Sequence, residues 1–196
     1  MRMKKAPPSS SPAAVVVGMA VLAVAWSSTG LRAAEATIES TCAAAAARDQ
    51  RVDTRFCAQQ FLEYHEAAEA DLWGLAKTAA LIGVNLGDDA VYDVHDGTVV
   101  PDPPAGAGGA RGKAAMGACA QAYDAVGMAF AEAAAELGAR RFEPARERFG
   151  RVTPLVCRCD GALKVAGART PPVLARYGDE CQQMAIIGAA ITNLIK

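Results

Sequence analysis

Aromatic side chains and histidine are scarce in this chain. Phe, Trp and Tyr make up 6% of the 196 residues, and the only histidines are His65 and His95. Apolar residues nevertheless reach 52%, and many of them are alanine. Alanine favours helices, whereas sheets are enriched in β-branched and aromatic residues. The composition therefore predicts an all-α fold built from closely packed helices.

Sequence signatures of catalysis and of metal binding are also missing. There is no nucleophile elbow, no phosphate-binding loop and no helix with paired metal-binding histidines. The Cys157 and Cys159 pair is not repeated elsewhere, as a zinc site would require. His65 and His95 are isolated, and we interpret them as solvated helix residues. We therefore predict that the protein is not an enzyme and holds no metal and no cofactor.

Basic side chains form no long run within residues 34–196. Residues 1–33 hold four of the 20 Lys and Arg residues and none of the 21 Asp and Glu residues, so residues 34–196 carry a net charge of −5. A surface of this kind does not neutralise phosphates, and nucleic acid is not an expected partner. Protonation of carboxylates at acidic pH would change its attraction to a basic protein, so association should depend on pH.

Only one hydrophobic run is long enough to suggest a membrane or targeting segment. It covers residues 13–26, follows the basic residues Lys4 and Lys5, and is followed by small residues. The run is short for a bilayer span, so we predict that residues 1–33 are a secretory signal peptide rather than an uncleaved anchor. Residues 34–196 are then expected to be secreted, with no membrane contact after signal cleavage.

Export decides how the cysteines are interpreted. An even number of cysteines in an oxidising compartment implies disulfides, although spacing alone leaves 15 pairings of six cysteines open. All of them lie in the part expected to be exported: Cys42, Cys57, Cys119, Cys157, Cys159 and Cys181.

Four long segments repeat apolar residues at steps of three and four, the period of one buried helix face. They cover approximately residues 67–91, 119–137, 142–159 and 172–195, and they are separated by the Pro/Gly-rich stretch 101–112, the turn 138–141 and the break 166–172. Pro144 suits the first turn of the third segment, whereas Pro154 should kink or interrupt it. The pattern predicts an antiparallel four-helix bundle.

A short helical hairpin is predicted to precede the bundle. Its two helices lie near residues 37–47 and 54–62, each carries one cysteine, and Asp53 or Thr54 can cap the second helix. Burial alone cannot stabilise so small a unit, so it should depend on a bridge between Cys42 and Cys57.

The remaining pairing is ambiguous on local grounds. Cys157 and Cys159 are about 200° apart around a helix, so only one of them can face Cys119. The other must point toward a different helix, and Cys181 lies on the core-facing seam of the last one.

Taken together, these residues resemble the plant invertase and pectin methylesterase inhibitor family over about residues 36–195. The features that carry the resemblance are Thr41-Cys42, Phe56-Cys57 fifteen residues later, Cys119 with Tyr123, Phe142 after the hairpin turn, Cys159 forty residues after Cys119, and the terminal segment from Ala185 to Leu194.

The resemblance implies a disulfide-stapled four-helix bundle with an N-terminal hairpin. It implies a Cys42–Cys57 bridge and a Cys119–Cys159 bridge, because the Asp160-Gly-Ala-Leu163 segment matches the short segment after the family's fourth cysteine. Cys157 departs from the family pattern. We predict that it forms a third bridge with Cys181, between the third and fourth bundle helices.

The resemblance also implies a function, inhibition of a cell-wall enzyme in the apoplast through a stoichiometric complex. In the pectin methylesterase branch the bundle lies across the substrate cleft, blocks pectin and so maintains its methylesterification.

In the invertase branch a Pro-Lys-Phe turn is inserted toward the active site. Arg140, Arg141 and Phe142 occupy that turn here and are the candidate enzyme contacts, but the proline is missing. Residues 34–196 are therefore expected to be a pectin methylesterase/invertase inhibitor domain, with pectin methylesterase as the expected target. Invertase inhibition and a non-inhibitory secreted helical bundle remain as alternatives.

Two further features have simpler interpretations than a functional site. Acidic residues cluster near the end of the first long segment, which we interpret as a solvated helix end rather than a cation site. Tyr123 is interpreted as core packing rather than a partner contact. The acidic cluster near the end of the first long segment consists of Asp88, Asp89, Asp93, His95 and Asp96.

Overall fold

A computed structural model describes residues 37–100 and 109–196. The predicted signal peptide, residues 1–33, lies outside the described residues. A short 3₁₀ helix, His65–Glu69, precedes the first long helix. The α-helices are α1 (37–48), α2 (Thr54–Leu62), α3 (Leu72–Asp96), α4 (Ala110–Gly138), α5 (Phe142–Gly150), α6 (Val152–Val165) and α7 (Pro172–Thr192).

Four columns of helix make up the bundle: α3, α4, the consecutive pair α5 and α6, and α7. Helix α4 packs against α3 on one side and against α5 and α6 on the other, while α7 packs against α3, α5 and α6. The short helices α1 and α2 form the appended hairpin, and α2 touches α3 and α7. The predicted all-α, disulfide-stapled four-helix bundle with an N-terminal hairpin is confirmed.

The first two bundle helices differ from their predicted limits. Helix α3 starts at Leu72 because the carboxylate of Asp71 accepts the backbone N–H of Gly74 at 2.8 Å and caps the helix. It continues to Asp96 and stops at Gly97, whose φ of 74° lies in the left-handed region that suits glycine. Helix α4 begins at Ala110, nine residues before Cys119, so the Pro/Gly-rich loop is shorter than expected.

The third column is broken, as predicted, but at Arg151 rather than at Pro154. Pro144 is the third residue of α5 and Pro154 is the third residue of α6. Backbone N–H groups in the first turn of a helix have no intrahelical acceptor, so proline loses nothing there. Pro154 therefore opens a new helix instead of interrupting an existing one.

Glycines allow aromatic rings and backbones to approach closely inside the bundle. A β-carbon on Gly83 would stand only 2.4 Å from the ring of Phe130, and one on Gly188 would stand 2.5 Å from Phe149. Those two rings meet edge to face with centroids 6.0 Å apart. The phenyl rings thus fill positions that glycines on α3 and α7 leave open.

Two disulfides join the pairs that the family resemblance implies. Cys42 is bonded to Cys57 across the hairpin, and Cys119 is bonded to Cys159 between α4 and α6. The side-chain amide of Gln183 accepts the N–H of Asp53 and donates to the carbonyl of Arg51, both at 3.2 Å. This amide attaches the hairpin turn to α7.

The structure corrects the prediction of a third bridge between Cys157 and Cys181. Both are free thiols, and Cys157 is exposed while Cys181 is buried. Cys159 faces α4, and a residue two positions away lies on the opposite side of the helix, so Cys157 points to solvent. Cys181 faces the core from α7, so its thiol does not meet that of Cys157.

Candidate functional site

The three candidate contact residues lie at the turn between α4 and α5. Arg140 has a φ of 57°, which is uncommon for a residue with a β-carbon. Its backbone N–H donates to the carbonyl oxygen of Leu137 at 3.0 Å. The backbone N–H of Arg141 donates to the carbonyl oxygen of Glu136 at 2.9 Å. These bonds close the end of α4 and place Arg140 at the exposed tip of the turn.

Arg140 does not extend freely from this turn. Its guanidinium carbon lies 4.1 Å from the centroid of the Trp73 ring, and the ammonium of Lys77 lies 4.7 Å from the same centroid. The indole N–H of Trp73 donates to the carbonyl of Leu137 at 2.7 Å. Cation–π attraction and this hydrogen bond together hold the tip of the turn against α3.

Sequence reasoning missed Trp73, although one signal was present. The chain has two tryptophans, and the other one, Trp26, lies outside residues 34–196. A single large aromatic residue at the start of a bundle helix in an aromatic-poor sequence was the feature that could have indicated a contact with a neighbouring turn.

Arg141 and Phe142 have different environments from Arg140. Arg141 is exposed and forms an ion pair with Glu136, and this hydrogen bond lowers the pKa of the Glu136 carboxyl below its ordinary value. Phe142 is half-buried and packs against the core. The turn therefore presents two arginines, while its phenylalanine serves mainly as an anchor.

One turn earlier on α4, a second carboxylate is also paired. Arg148 and Arg151 each place a guanidinium nitrogen 3.1 Å from the same oxygen of Glu132. Glu132 and Arg151 also line a shallow groove between α4 and α6, together with residues that include Asp124, Met128 and Leu155. Glu132 and Glu136 are thus both paired with arginines.

The acidic cluster near the end of α3 does not act as a unit. The carboxylate of Asp93 accepts the hydroxyl of Tyr177 at 2.9 Å, so it serves to join α3 and α7. Asp88, Asp89 and Asp96 are exposed, as is His95. Across residues 37–100 and 109–196, no group of three or more His, Cys, Asp or Glu is arranged to hold a metal ion.

Tyr123 lies in the core, where only 1% of it is exposed. Its hydroxyl donates to the carbonyl of Leu174 at 2.7 Å and so connects α4 to α7. Burial raises the pKa of this phenol far above its ordinary value. No helix in the described part of the chain is long and apolar enough to cross a membrane.

Helices and cysteine pairing together define a class, a small disulfide-linked helical bundle. A scan against protein-family models gives no match. Pectinesterase inhibitor 8 of Oryza sativa subsp. japonica is 42% identical over 161 residues, which cover 82% of this chain and 84% of that protein. Pectinesterase inhibitor 12 of the same plant is 37% identical over 177 residues, 90% of this chain and 83% of that protein. The chain belongs to the plant invertase and pectin methylesterase inhibitor family.

Proposed function

We propose that the protein inhibits pectin methylesterase by forming a stoichiometric complex that covers the enzyme's pectin-binding cleft. Wall pectin would then keep its methyl esters. The observation that carries this proposal is the name of the two curated relatives, both pectinesterase inhibitors, together with their identities of 42% and 37% over most of the chain.

The architecture suits inhibition by occlusion rather than by chemistry. Its core is closely packed and its helices are joined covalently by Cys119–Cys159. A preorganised bundle loses little conformational entropy when it docks, which favours tight association. The protein acts as a non-catalytic partner whose surface covers the cleft.

The site of action is the cell wall. Residues 1–33 direct export and are removed, and residues 34–196 form the inhibitor domain in the apoplast. Disulfides persist in oxidising extracellular compartments, and the two bridges suit that location.

The turn geometry supports pectin methylesterase over invertase as the target. An inserted cation–Phe turn needs both side chains to be available to the enzyme. Here Phe142 packs against the core and Arg141 is paired with Glu136. Insertion of this pair into an active site would require both contacts to be given up.

The test is a titration of residues 34–196, refolded with their disulfides, at mildly acidic pH. A plant pectin methylesterase and, separately, a cell-wall invertase are assayed with increasing inhibitor. We expect esterase activity to fall linearly and end near one inhibitor per enzyme, with invertase unaffected. Loss of invertase activity alone would support the alternative target. Unchanged activity of both enzymes would contradict the proposal and leave a secreted bundle that inhibits neither.

A further inference from the structure

Basic side chains are concentrated in one column of the bundle. Residues 139–165, which contain α5 and α6, hold seven basic and three acidic side chains, a net charge of +4. The other residues of 34–196 hold nine basic and 18 acidic side chains, a net charge of −9. Six of the seven basic residues are arginines, and they are spread between Arg140 and Arg158, so they form no long run in the sequence. The column of α5 and α6 thus differs in sign of charge from the rest of the protein.

Two of these arginines share one carboxylate. Nη1 of Arg148 and Nη1 of Arg151 each lie 3.1 Å from Oε2 of Glu132, so two positive charges face one negative charge. The Nε–H of Arg148 is buried and has no acceptor among the described residues. The side chain of Arg151 remains 56% exposed. Because a guanidinium carries five N–H donors, this pair has both charge and donors left for a ligand.

A third arginine lies in line with this pair. Arg158 and Arg151 both line the shallow groove between α4 and α6, which we call the α4–α6 groove. Seven residues are close to two helical turns, so the two side chains leave the same side of α6, about 10 Å apart along its axis. Arg158 is exposed and forms no ion pair with any residue of 37–100 or 109–196. The groove therefore presents guanidiniums at two points along its length.

The rest of the groove is partly apolar and partly acidic. It encloses about 360 Å³, its apolar lining includes Met128, Pro154 and Leu155, and its acids are Asp124 and Glu132. Guanidiniums bind carboxylates in a bidentate geometry, and carboxylates accept hydrogen bonds from hydroxyl groups. Apolar side chains can cover the C–H face of a sugar ring. The lining therefore suits a ligand that combines carboxylates, hydroxyls and apolar ring faces, which is an acidic sugar.

The same lining is unfavourable for nucleic acid, the other common polyanion. Single strands bind to grooves in which aromatic side chains stack on the bases, and no aromatic residue lines this groove. Duplex DNA carries one charge per 1.7 Å of its axis, so Asp124 and Glu132 would repel its closely spaced phosphates. A chain of uronic acids carries one carboxylate per sugar and offers hydroxyls to these two acids.

We propose that the α4–α6 groove binds a chain of uronic acid residues, with Arg151 and Arg158 on the carboxylates and the apolar lining against the sugar rings. Pectin that has lost its methyl esters is such a chain. Binding to it holds the protein in the wall at places where the esterase has already acted. The identity of the ligand rests on the proposed function, because de-esterified pectin is the product of the proposed target enzyme.

The test measures the affinity of residues 34–196, with their disulfides formed, for immobilised polygalacturonate at several salt concentrations. Fully methylesterified pectin and duplex DNA are the comparison polymers. The groove variants are Arg151→Gln, Arg158→Gln and the double variant. Each has a control that removes the same charge elsewhere: Arg176→Gln on α7 for the ion-paired Arg151, and Arg55→Gln on α2 for the unpaired Arg158. Melting curves verify that every variant is folded.

We expect each groove variant to weaken polygalacturonate binding by about threefold and the double variant by about tenfold, with the controls within about 1.5-fold. Binding should weaken as salt rises, and both comparison polymers should bind at least about tenfold more weakly. Absence of binding, an equal loss in the controls, or equally tight binding of DNA would overturn the proposal.

Esterase inhibition by the same samples separates this proposal from the proposed function. Inhibition without polygalacturonate binding would overturn the groove proposal and leave the function standing. Polygalacturonate binding that depends on Arg151 and Arg158, without inhibition, would support the groove and overturn the inhibitor function.

Discussion

Tyr123 and Tyr92 are on adjacent helices but have opposite environments, and a hydroxyl deletion should separate them. Tyr123→Phe removes a buried hydrogen bond to the Leu174 carbonyl, which should cost about 1–2 kcal/mol in the free energy of unfolding. Tyr92 is 67% exposed, so Tyr92→Phe should stay within about 0.5 kcal/mol. Urea unfolding of both variants checks this prediction. Equal shifts would mean that the Tyr123 hydroxyl contributes nothing beyond its ring.

The Tyr123 contribution should not vary with pH in the acidic to neutral range. Its folded pKa is raised above the unfolded value of 10.0. A group raised in this way stabilises fully below its unfolded pKa and loses that contribution only as pH rises through the folded pKa. The hydroxyl therefore stays protonated from acidic to neutral pH.

The two free thiols should differ in reactivity. Cys157 is exposed, whereas burial raises the pKa of the Cys181 thiol to about 12 and keeps it protonated. We expect a maleimide to label one thiol per chain in the native oxidised protein and two after unfolding without reductant. Mass spectrometry gives the count. A Cys157–Cys181 bridge would instead give no label in either state, and Cys157→Ser should abolish native labelling.

At the scale of the elements, the α3–α4 contact depends on the absence of side chains. Gly87→Ala places a β-carbon 2.9 Å from backbone atoms of Gly127 and 3.1 Å from the Tyr123 carbonyl oxygen. Backbone atoms cannot rotate away, so the helices must separate, at a cost of about 1–3 kcal/mol in the free energy of unfolding. Thermal or urea unfolding measures the loss.

Gly117→Ala is the matched control for this prediction. Gly117 is an exposed position within α4, and a β-carbon added there would meet no atom within 4 Å. Alanine should there stabilise the helix by about 0.5–1 kcal/mol, because glycine loses more backbone entropy on folding. The prediction is wrong if both alanines shift stability in the same direction.

At the scale of the whole molecule, the disulfides should matter in proportion to the chain they close. The Cys119–Cys159 bridge spans 40 residues and the Cys42–Cys57 bridge spans 15. Loop-closure entropy assigns them about 4 and about 3 kcal/mol. Paired alanine substitutions and urea unfolding test this order.

The two losses should also differ in kind. Removal of Cys119–Cys159 should lower the stability of the whole bundle, because it joins α4 to α6. Removal of Cys42–Cys57 should affect the hairpin first, since α2 makes few contacts with α3 and α7. Cys157→Ala is the control and should be close to neutral, because Cys157 is exposed and unpaired. An equal effect from all three would contradict the entropic account.

Helix periodicity predicted most of the fold because it depends on local chemistry. The apolar stripes in α3, α4 and α7 repeat at the helical period, and the hairpin cap at Asp53 is a short-range hydrogen bond to the N–H groups of Arg55 and Phe56. The boundary at Arg151 was less predictable, since Pro154 can either interrupt a helix or open one.

The candidate site was predictable only in part. The sequence identified the α4–α5 turn and its arginines, but not the stacking of Arg140 on Trp73, which lies 67 positions earlier in the chain. Whether a carboxylate such as Glu136 finds an ion-pair partner depends equally on which side chains the packing brings near. Contacts between distant residues carry no local periodic signal.

By itself, the sequence determined the helical class, the bundle, the hairpin and the family, because composition, periodicity and cysteine spacing can all be read along the chain. Only the tertiary structure decided that Cys157 and Cys181 stay apart, that Phe142 is an anchor, and that α3 and α4 approach closely at Gly87 and Gly127. Each of these outcomes depends on the rotation of one helix relative to another. Packing of the whole bundle sets that rotation, and no single segment contains it.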